Sequence, residues 1–147
     1  MTEVAFHFNA PDRLGYACRL LRKAYLKGAH LQVLADPPLA AALDQQLWLM
    51  TGVEFVPHCH SDAPEPLRAR SPIVIGSHVT VPDGDDHVLV NLSDALPEGF
   101  QRFARVIEVV TAEPPVRSLA RERWKHYKAA GLEPQHLDLS ASSSARA

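Results

Sequence analysis

The sequence predicts an α/β fold: a Rossmann-like, mainly parallel sheet flanked by helices, lacking a glycine-rich nucleotide loop. Three observations carry this. Short aliphatic runs alternate with longer segments whose apolar residues recur at helical spacing, the pattern of consecutive βαβ units. Ile73-Val74-Ile75 and Val88-Leu89-Val90 are apolar at every position, as strands covered on both faces are. The length of 147 residues, with 46% hydrophobic and 22% charged, suits a single domain with a real core.

Val4-Ala5-Phe6-His7-Phe8 alternates as a strand, and the turn Asn9-Ala10-Pro11-Asp12 ends in a candidate helix cap. Leu14, Ala17, Cys18, Leu21, Ala24 and Tyr25 repeat at helical spacing, and Gly28 stops the helix. Leu31 to Ala35 is a second strand. Asp36 and Pro37-Pro38 open a second helix with Leu39, Ala42, Leu43, Leu47 and Met50 on one face and Gly52 beyond its end. Val53-Glu54-Phe55-Val56 is a third strand, stopped by Pro57, and residues 58–71 read as loop. Pro82-Asp83-Gly84-Asp85-Asp86 is a turn between the two apolar strands. A short helix is expected from Phe100 to Phe103, a strand over Val106 to Val110, and a last helix over Arg117 to Gly131. One domain over residues 1–133 and a flexible tail over 134–147 complete the organisation, since Ser140 to Ala147 lacks the apolar residues a core needs.

Charge is unevenly placed. The net charge of −2 excludes a globally basic nucleic-acid binder. Residues 101–131 nevertheless carry seven Lys/Arg against three acids, whereas residues 29–100 carry two against ten. An anionic partner is drawn to the C-terminal region. There, at about 100° per residue, Arg117, Arg121, Lys125 and Lys128 form one stripe. Val116, Leu119, Ala120, Tyr127 and Ala130 form an apolar stripe beside it, with Trp124 on the border. Arg123 falls on the apolar side, where it must snorkel or meet a carboxylate. A cationic ridge edged by a large aromatic suits an anionic partner with an apolar end group.

Catalytic chemistry is not evident. The first strand-to-helix turn has no Gly-x-Gly-x-x-Gly and no Gly-Lys-Ser/Thr; Pro11 removes a donor and Asp12 repels phosphate. His58-Cys59-His60-Ser61-Asp62 is the best metal candidate, but no second His/Cys pair at ligand spacing completes it. Glu108 and Glu122 are carboxylates without an evident acid/base partner, and Glu122 suits a helix-surface ion pair. No catalytic residue, metal or cofactor is expected. Cys18 and Cys59 do not make a disulfide framework, and Cys18 reads as core. Met1-Thr2-Glu3 is not a basic signal region and no run reaches transmembrane length, so a cytoplasmic protein without membrane contact is expected.

Trp48 marks a second surface. Counted from Leu39, it points about 180° from its helix's apolar stripe. With Phe55, Val56 and Pro57 it forms a candidate apolar interface.

Leu43-Asp44-Gln45-Gln46-Leu47-Trp48, then Phe55-Val56-Pro57-His58, then Ser118-Leu119-Ala120-Arg121-Glu122-Arg123-Trp124-Lys125-His126-Tyr127-Lys128-Ala129-Ala130-Gly131, in this order and spacing, resemble the chi subunit of bacterial DNA polymerase III holoenzyme. The likeness spans about residues 1–133. It departs from the family at Trp124, where Tyr is common, and does not extend clearly through residues 60–87 or 134–147. The resemblance implies a clamp-loader accessory protein of the DNA-directed DNA polymerase, Rossmann-like and with no catalysis of its own. It implies two partners: the psi subunit, and the acidic C-terminal tail of single-stranded DNA-binding protein, whose Asp residues precede a Pro-Phe end. Carried over by position, Arg117, Arg121, Trp124, Lys125, Tyr127 and Lys128 correspond to the tail-binding surface. Trp48, Phe55, Val56 and Pro57 correspond to the psi-facing surface. The first helix is a candidate wall for the slot that takes the terminal Phe. No sequence-specific DNA contact is implied. The competing expectation is a degenerate nucleotide-binding or hydrolase-type enzyme, which requires an open phosphate cradle at residues 9–13.

Overall fold

The computed structural model describes residues 2–49, 57–77 and 87–139, and all but the side chains at 69 and 70 within them. In chain order the elements are β1 (Glu3–Ala10), α1 (Arg13–Leu26), β2 (His30–Leu34), α2 (Pro37–Leu49), β3 (Cys59–His60), α3 (Glu65–Arg70), β4 (Ile73–Gly76), β5 (His87–Asn91), β6 (Arg105–Thr111), α4 (Pro114–Ala129) and β7 (Gln135–Asp138). A single 3₁₀ turn, Phe100–Arg102, precedes β6. The seven strands form one sheet in the order β3-β4-β2-β5-β6-β1-β7. Every strand pairing is parallel.

Alternation along the strands divides the core in two. Ile107 and Val109 of β6 face one side with Val33, Ile75 and Val90, and there α1 and α2 pack through Ala17, Cys18, Leu21, Leu43 and Leu47. Val106 and Val110 face the other side with Val4, Phe6 and Leu89, under Ala120 and Tyr127 of α4. Side chains two residues apart on a strand share a face, so the central strands β1, β2, β5 and β6 feed both cores.

Several expectations change. The segment expected as a loop at 58–71 contains β3 and α3. The third strand was expected at Val53 to Val56, which lies outside the described residues, as do Met50, Gly52 and the turn at 82–86. Within the stretch expected as a flexible tail over 134–147, Gln135–Asp138 is instead a strand paired with β1, placing Leu137 opposite His7 and Asp138 opposite Phe8. An edge strand of four mostly polar residues has no periodic signature, and its backbone bonds to β1 supply the order that its side chains do not advertise. Residues 140–147 lie outside the described residues.

The β1–α1 turn borders an open cleft of about 930 Å³, shared with Leu39, Thr111 to Glu113 and Val116, into which it brings the acidic Asp12 beside Glu113. Asn9 adopts a positive φ of 61°, which Asn tolerates better than most residues, and its amide donates to Asp138 Oδ1 at 2.9 Å. Asp12 occupies the N-cap position of α1 but makes no side-chain capping bond. Its carboxylate instead lies over the first turn, where a Cβ on Gly15 would come within 2.5 Å of Asp12 Oδ2. Arg13 is drawn away, donating to Leu92 O at 2.9 Å and facing Asp94 at 3.7 Å. An anion at this helix N-terminus would meet Asp12 first.

Candidate functional site

Pro114 and Pro115 open α4, where fixed φ suits the first turn and the missing N–H groups cost nothing. Gly131, at φ 88°, closes it: Leu132 N–H reaches Tyr127 O at 3.1 Å, a Schellman-type stop that folds Leu132 back onto the core. The line facing the sheet runs through Val116, Ala120, Arg123 and Tyr127, with Trp124 beside it. Leu119, expected on this line, is 44% exposed, and Ala130 is also exposed.

Arg123 explains the shift of face. It is buried and meets the fully buried Glu108 of β6, its Nε donating to Glu108 Oε1 at 3.1 Å. Arg123 Nη1 donates to Asp94 O at 2.9 Å. Asn91 Nδ2 donates to both Glu108 oxygens at 2.9 and 3.0 Å, and Tyr127 OH donates to Oε2 at 2.7 Å. Burial pushes the Glu108 carboxyl up from its ordinary value, while the Arg123 charge and these donors hold it down. Burial and the adjacent Glu108 push the Tyr127 phenol far upward, so it stays a donor. Glu108 is thus a structural counter-ion.

Tyr127 therefore does not belong to the exposed surface on which the family resemblance placed it. It is fully buried, T-shaped against Phe100 at 4.9 Å and Phe6 at 5.8 Å, with its hydroxyl spent on Glu108. The other residues of the ridge are exposed: Arg117, Arg121, Lys125 and Lys128 at intervals of four, four and three residues. They span roughly 16 Å of helix. Lys125 faces Glu122 at 3.4 Å on the open surface. Arg117, Arg121 and Lys128 form no ion pair among the described residues.

Trp124 is half-buried and opens an aromatic shelf beside the ridge. Its ring lies 5.0 Å from Phe6 and 6.4 Å from Phe8, and Phe8 lies 4.7 Å from His136 of β7. Phe8 is half-buried and His136 exposed. Neither was singled out from the sequence. Phe8 could have been, because it shares the Phe6 face of β1; His136 could not, because its strand was not foreseen. The first helix, expected as a slot wall, packs on the opposite face of the sheet.

On that opposite face, Trp48 is 57% exposed and Leu49 70% exposed at the end of α2. The Trp48 ring rests edge-on against His58 at 5.3 Å, and His58 Nε2 is bonded to Asp44 Oδ1 at 2.9 Å. Pro57 is half-buried; Phe55 and Val56 lie outside the described residues. The same contacts engage the residues of the metal candidate. His58 is held by Asp44, Cys59 is buried, and His60 points outward from the two-residue strand. Among the described residues no three His, Cys, Asp or Glu side chains converge as a metal site. No described helix is long and apolar enough to cross a membrane.

The family model described as "DNA polymerase III chi subunit, HolC" matches residues 1–135. The chain belongs to the DNA polymerase III chi subunit family. This places it in DNA replication. The family match reaches β7 and takes in both α4 and Trp48. The chain is 32% identical to DNA polymerase III subunit chi of Pseudomonas aeruginosa, over 92% of this chain and 95% of that protein. It is 28% identical to the subunit of the same name in Escherichia coli, over 78% of each. Among solved structures, the C-terminal domain of the DEAD-box protein Dbp5 superposes with a TM-score of 0.59 over 95% of this chain and 91% of that one. Dbp5 of S. cerevisiae bound to RNA and ADP BeF3 gives 0.65 over 99% of this chain and 43% of that one. At 14% identity these two likenesses show the α/β fold alone.

Proposed function

We propose that this chi-family chain is a non-catalytic, cytoplasmic adaptor of the clamp-loader complex of DNA polymerase III holoenzyme. It links that complex to the acidic C-terminal tail of single-stranded DNA-binding protein. The observation that carries this is the α4 surface: an exposed ridge of four cations edged by the half-buried rings of Trp124 and Phe8 and the exposed His136. Tail carboxylates find cations along the helix, and a terminal Phe finds ring faces at its edge. The contact residues are Arg117, Arg121, Lys125 and Lys128 for charge and Trp124 and Phe8 for the ring. Tyr127 supports them from beneath.

Trp48 and Leu49, exposed on the α2 face, suit a second partner, the psi subunit in organisms that have one. Having the two surfaces on opposite faces of one rigid sheet lets both partners bind at once. The enzyme alternative is disfavoured by the β1–α1 turn, whose cleft has no glycine-rich loop and carries the Asp12 and Glu113 carboxylates, which repel a phosphate.

Calorimetry with an acidic peptide ending in Pro-Phe tests the tail site. Arg121→Ala should weaken binding by about 1.5–3 kcal/mol, the range for hydrogen bonds to charged groups. Affinity should also fall with added salt. Binding indifferent to both would end the proposal.

A further inference from the structure

The two faces of the sheet are not equally covered. A helix is about 10–12 Å wide and neighbouring strands lie about 4.8 Å apart, so α1 and α2 cover only four or five strands. They contact β2, β4 and β6. The β1–β7 end of the same face is left over, and beside α1 it forms a cleft of about 480 Å³. That volume lies in the range of small-molecule sites. Its apolar walls include Leu20, Ala24, Ile107 and Leu137. His7 and Tyr16 share a hydrogen bond of 2.5 Å in its wall. Burial, and then the Arg105 charge, lower the His7 pKa to about 4, so this ring is neutral at pH 7.

The border carries charge of one sign. Arg19, Lys23 and Lys27 follow one another at four-residue intervals along α1, about 12 Å in all. Arg105, at the start of β6, adds a fourth cation. All four are exposed, none is in an ion pair among the described residues, and no acid lines the cleft. The chain as a whole has net charge −2, so this concentration is local. Apolar walls enclosed by unpaired cations favour one kind of occupant.

We propose that the cleft between α1 and the β6–β1–β7 end of the sheet binds a small amphipathic anion. Its apolar body lies between Leu20 and Leu137, and its carboxylate or phosphate meets Arg105 and the α1 cations. The site is independent of the proposed α4 and Trp48 surfaces, because α4 packs on the other face and Trp48 does not line the cleft.

The test titrates the full chain with 1-naphthyl phosphate, 1-naphthoate and neutral 1-naphthalenemethanol, following backbone amides by NMR. At least one acid should saturate at or below about 1 mM with shifts centred on α1, β1 and β7, and the alcohol should bind at least about tenfold more weakly. Tighter binding by the phosphate identifies a phosphoryl head group, and equal or tighter binding by the carboxylate identifies a carboxylic acid. Lys23→Glu and Arg105→Glu, both at exposed positions, should each weaken the preferred acid by about tenfold or more without changing acidic-peptide binding at α4. Failure of both acids to bind, equal affinity for the alcohol, or shifts confined to α4 would overturn the proposal.

Discussion

Arg123→Met tests the buried network that fixes α4. The substitution keeps most of the side-chain volume and removes the guanidinium, leaving Glu108 fully buried without its counter-ion. Asn91 and Tyr127 still donate to the carboxylate, but neither neutralises it. Breaking a buried pair from one side costs about 3–5 kcal/mol, chiefly the penalty of the charge left behind. For a chain of this size each kcal/mol lowers Tm by roughly 2–4 °C, giving a fall of about 6–20 °C. Typical total stability is about 5–15 kcal/mol, so the variant should remain folded at low temperature. Glu108→Gln should cost a similar amount by stranding Arg123. The double variant should cost less than the sum by at least about 1–2 kcal/mol, because neither charge remains buried alone. Urea and thermal unfolding followed by circular dichroism measure all three. A loss under about 1 kcal/mol for Arg123→Met, or strict additivity in the double variant, would show that the pair does not hold α4 to the sheet.

Other perturbations separate the surfaces. Trp124→Ala should weaken binding of an acidic peptide ending in Pro-Phe while leaving part of its salt dependence, since it removes the ring contact and spares the cations; an unchanged isotherm would exclude the aromatic shelf. Trp48→Ala should reduce association with psi by about 2 kcal/mol or more, as loss of a central aromatic does, and leave peptide affinity at α4 unchanged in calorimetry. His7 should make stability acid-sensitive: burial, and then the Arg105 charge, lowers its folded pKa to about 4, below the ordinary histidine value of 6.5. The unfolded chain therefore binds the extra proton first, and this stability is present above pH 6.5 and lost as pH falls towards 4. Relative to His7→Gln, the native chain should lose about 1–2 kcal/mol over that interval in urea titrations, the full shift being reduced because solvent reaches the ring through the cleft. Parallel pH profiles would refute this.

The sequence exposed what depends on local periodicity. The positions of α1 and α2, the apolar cores of β4 and β5, and the parallel βαβ order all follow from short-range patterns that burial then confirms. Four exposed cations on α4 were legible for the same reason, since spacing along one helix is enough to place them on one face. Long-range partners were not legible. Hydrophobicity assigned Leu119 to the core and left Arg123 ambiguous, because Glu108, the residue that makes a buried arginine tolerable, lies on a different element. Tyr127 corresponds by family resemblance to the tail-binding surface, yet its place in the apolar stripe already points inward, where the structure buries it. His136 entered the candidate site only through backbone pairing of β7 to β1.

The way α4 is fastened bears on what it presents. Ala120, Arg123 and Tyr127 are its fully buried residues, and two of these three are held by polar bonds. Apolar contact is non-directional and tolerates a helix rolling on a sheet, whereas hydrogen bonds fix angle as well as distance. Arg123 is bonded to Glu108 through Nε and to Asp94 O through Nη1, and Tyr127 reaches the same carboxylate one turn later. These three anchors specify the rotation of α4 about its own axis. A roll by one residue is about 100°, enough to carry Arg121 and Lys125 off the edge of the Trp124–Phe8–His136 shelf. The buried ion pair is therefore a weak source of stability but a strong source of register, keeping cations and aromatic rings side by side before any partner arrives. Such preorganisation lowers the cost of ordering the surface on binding, which is how the proposed acidic tail would be held through few contacts.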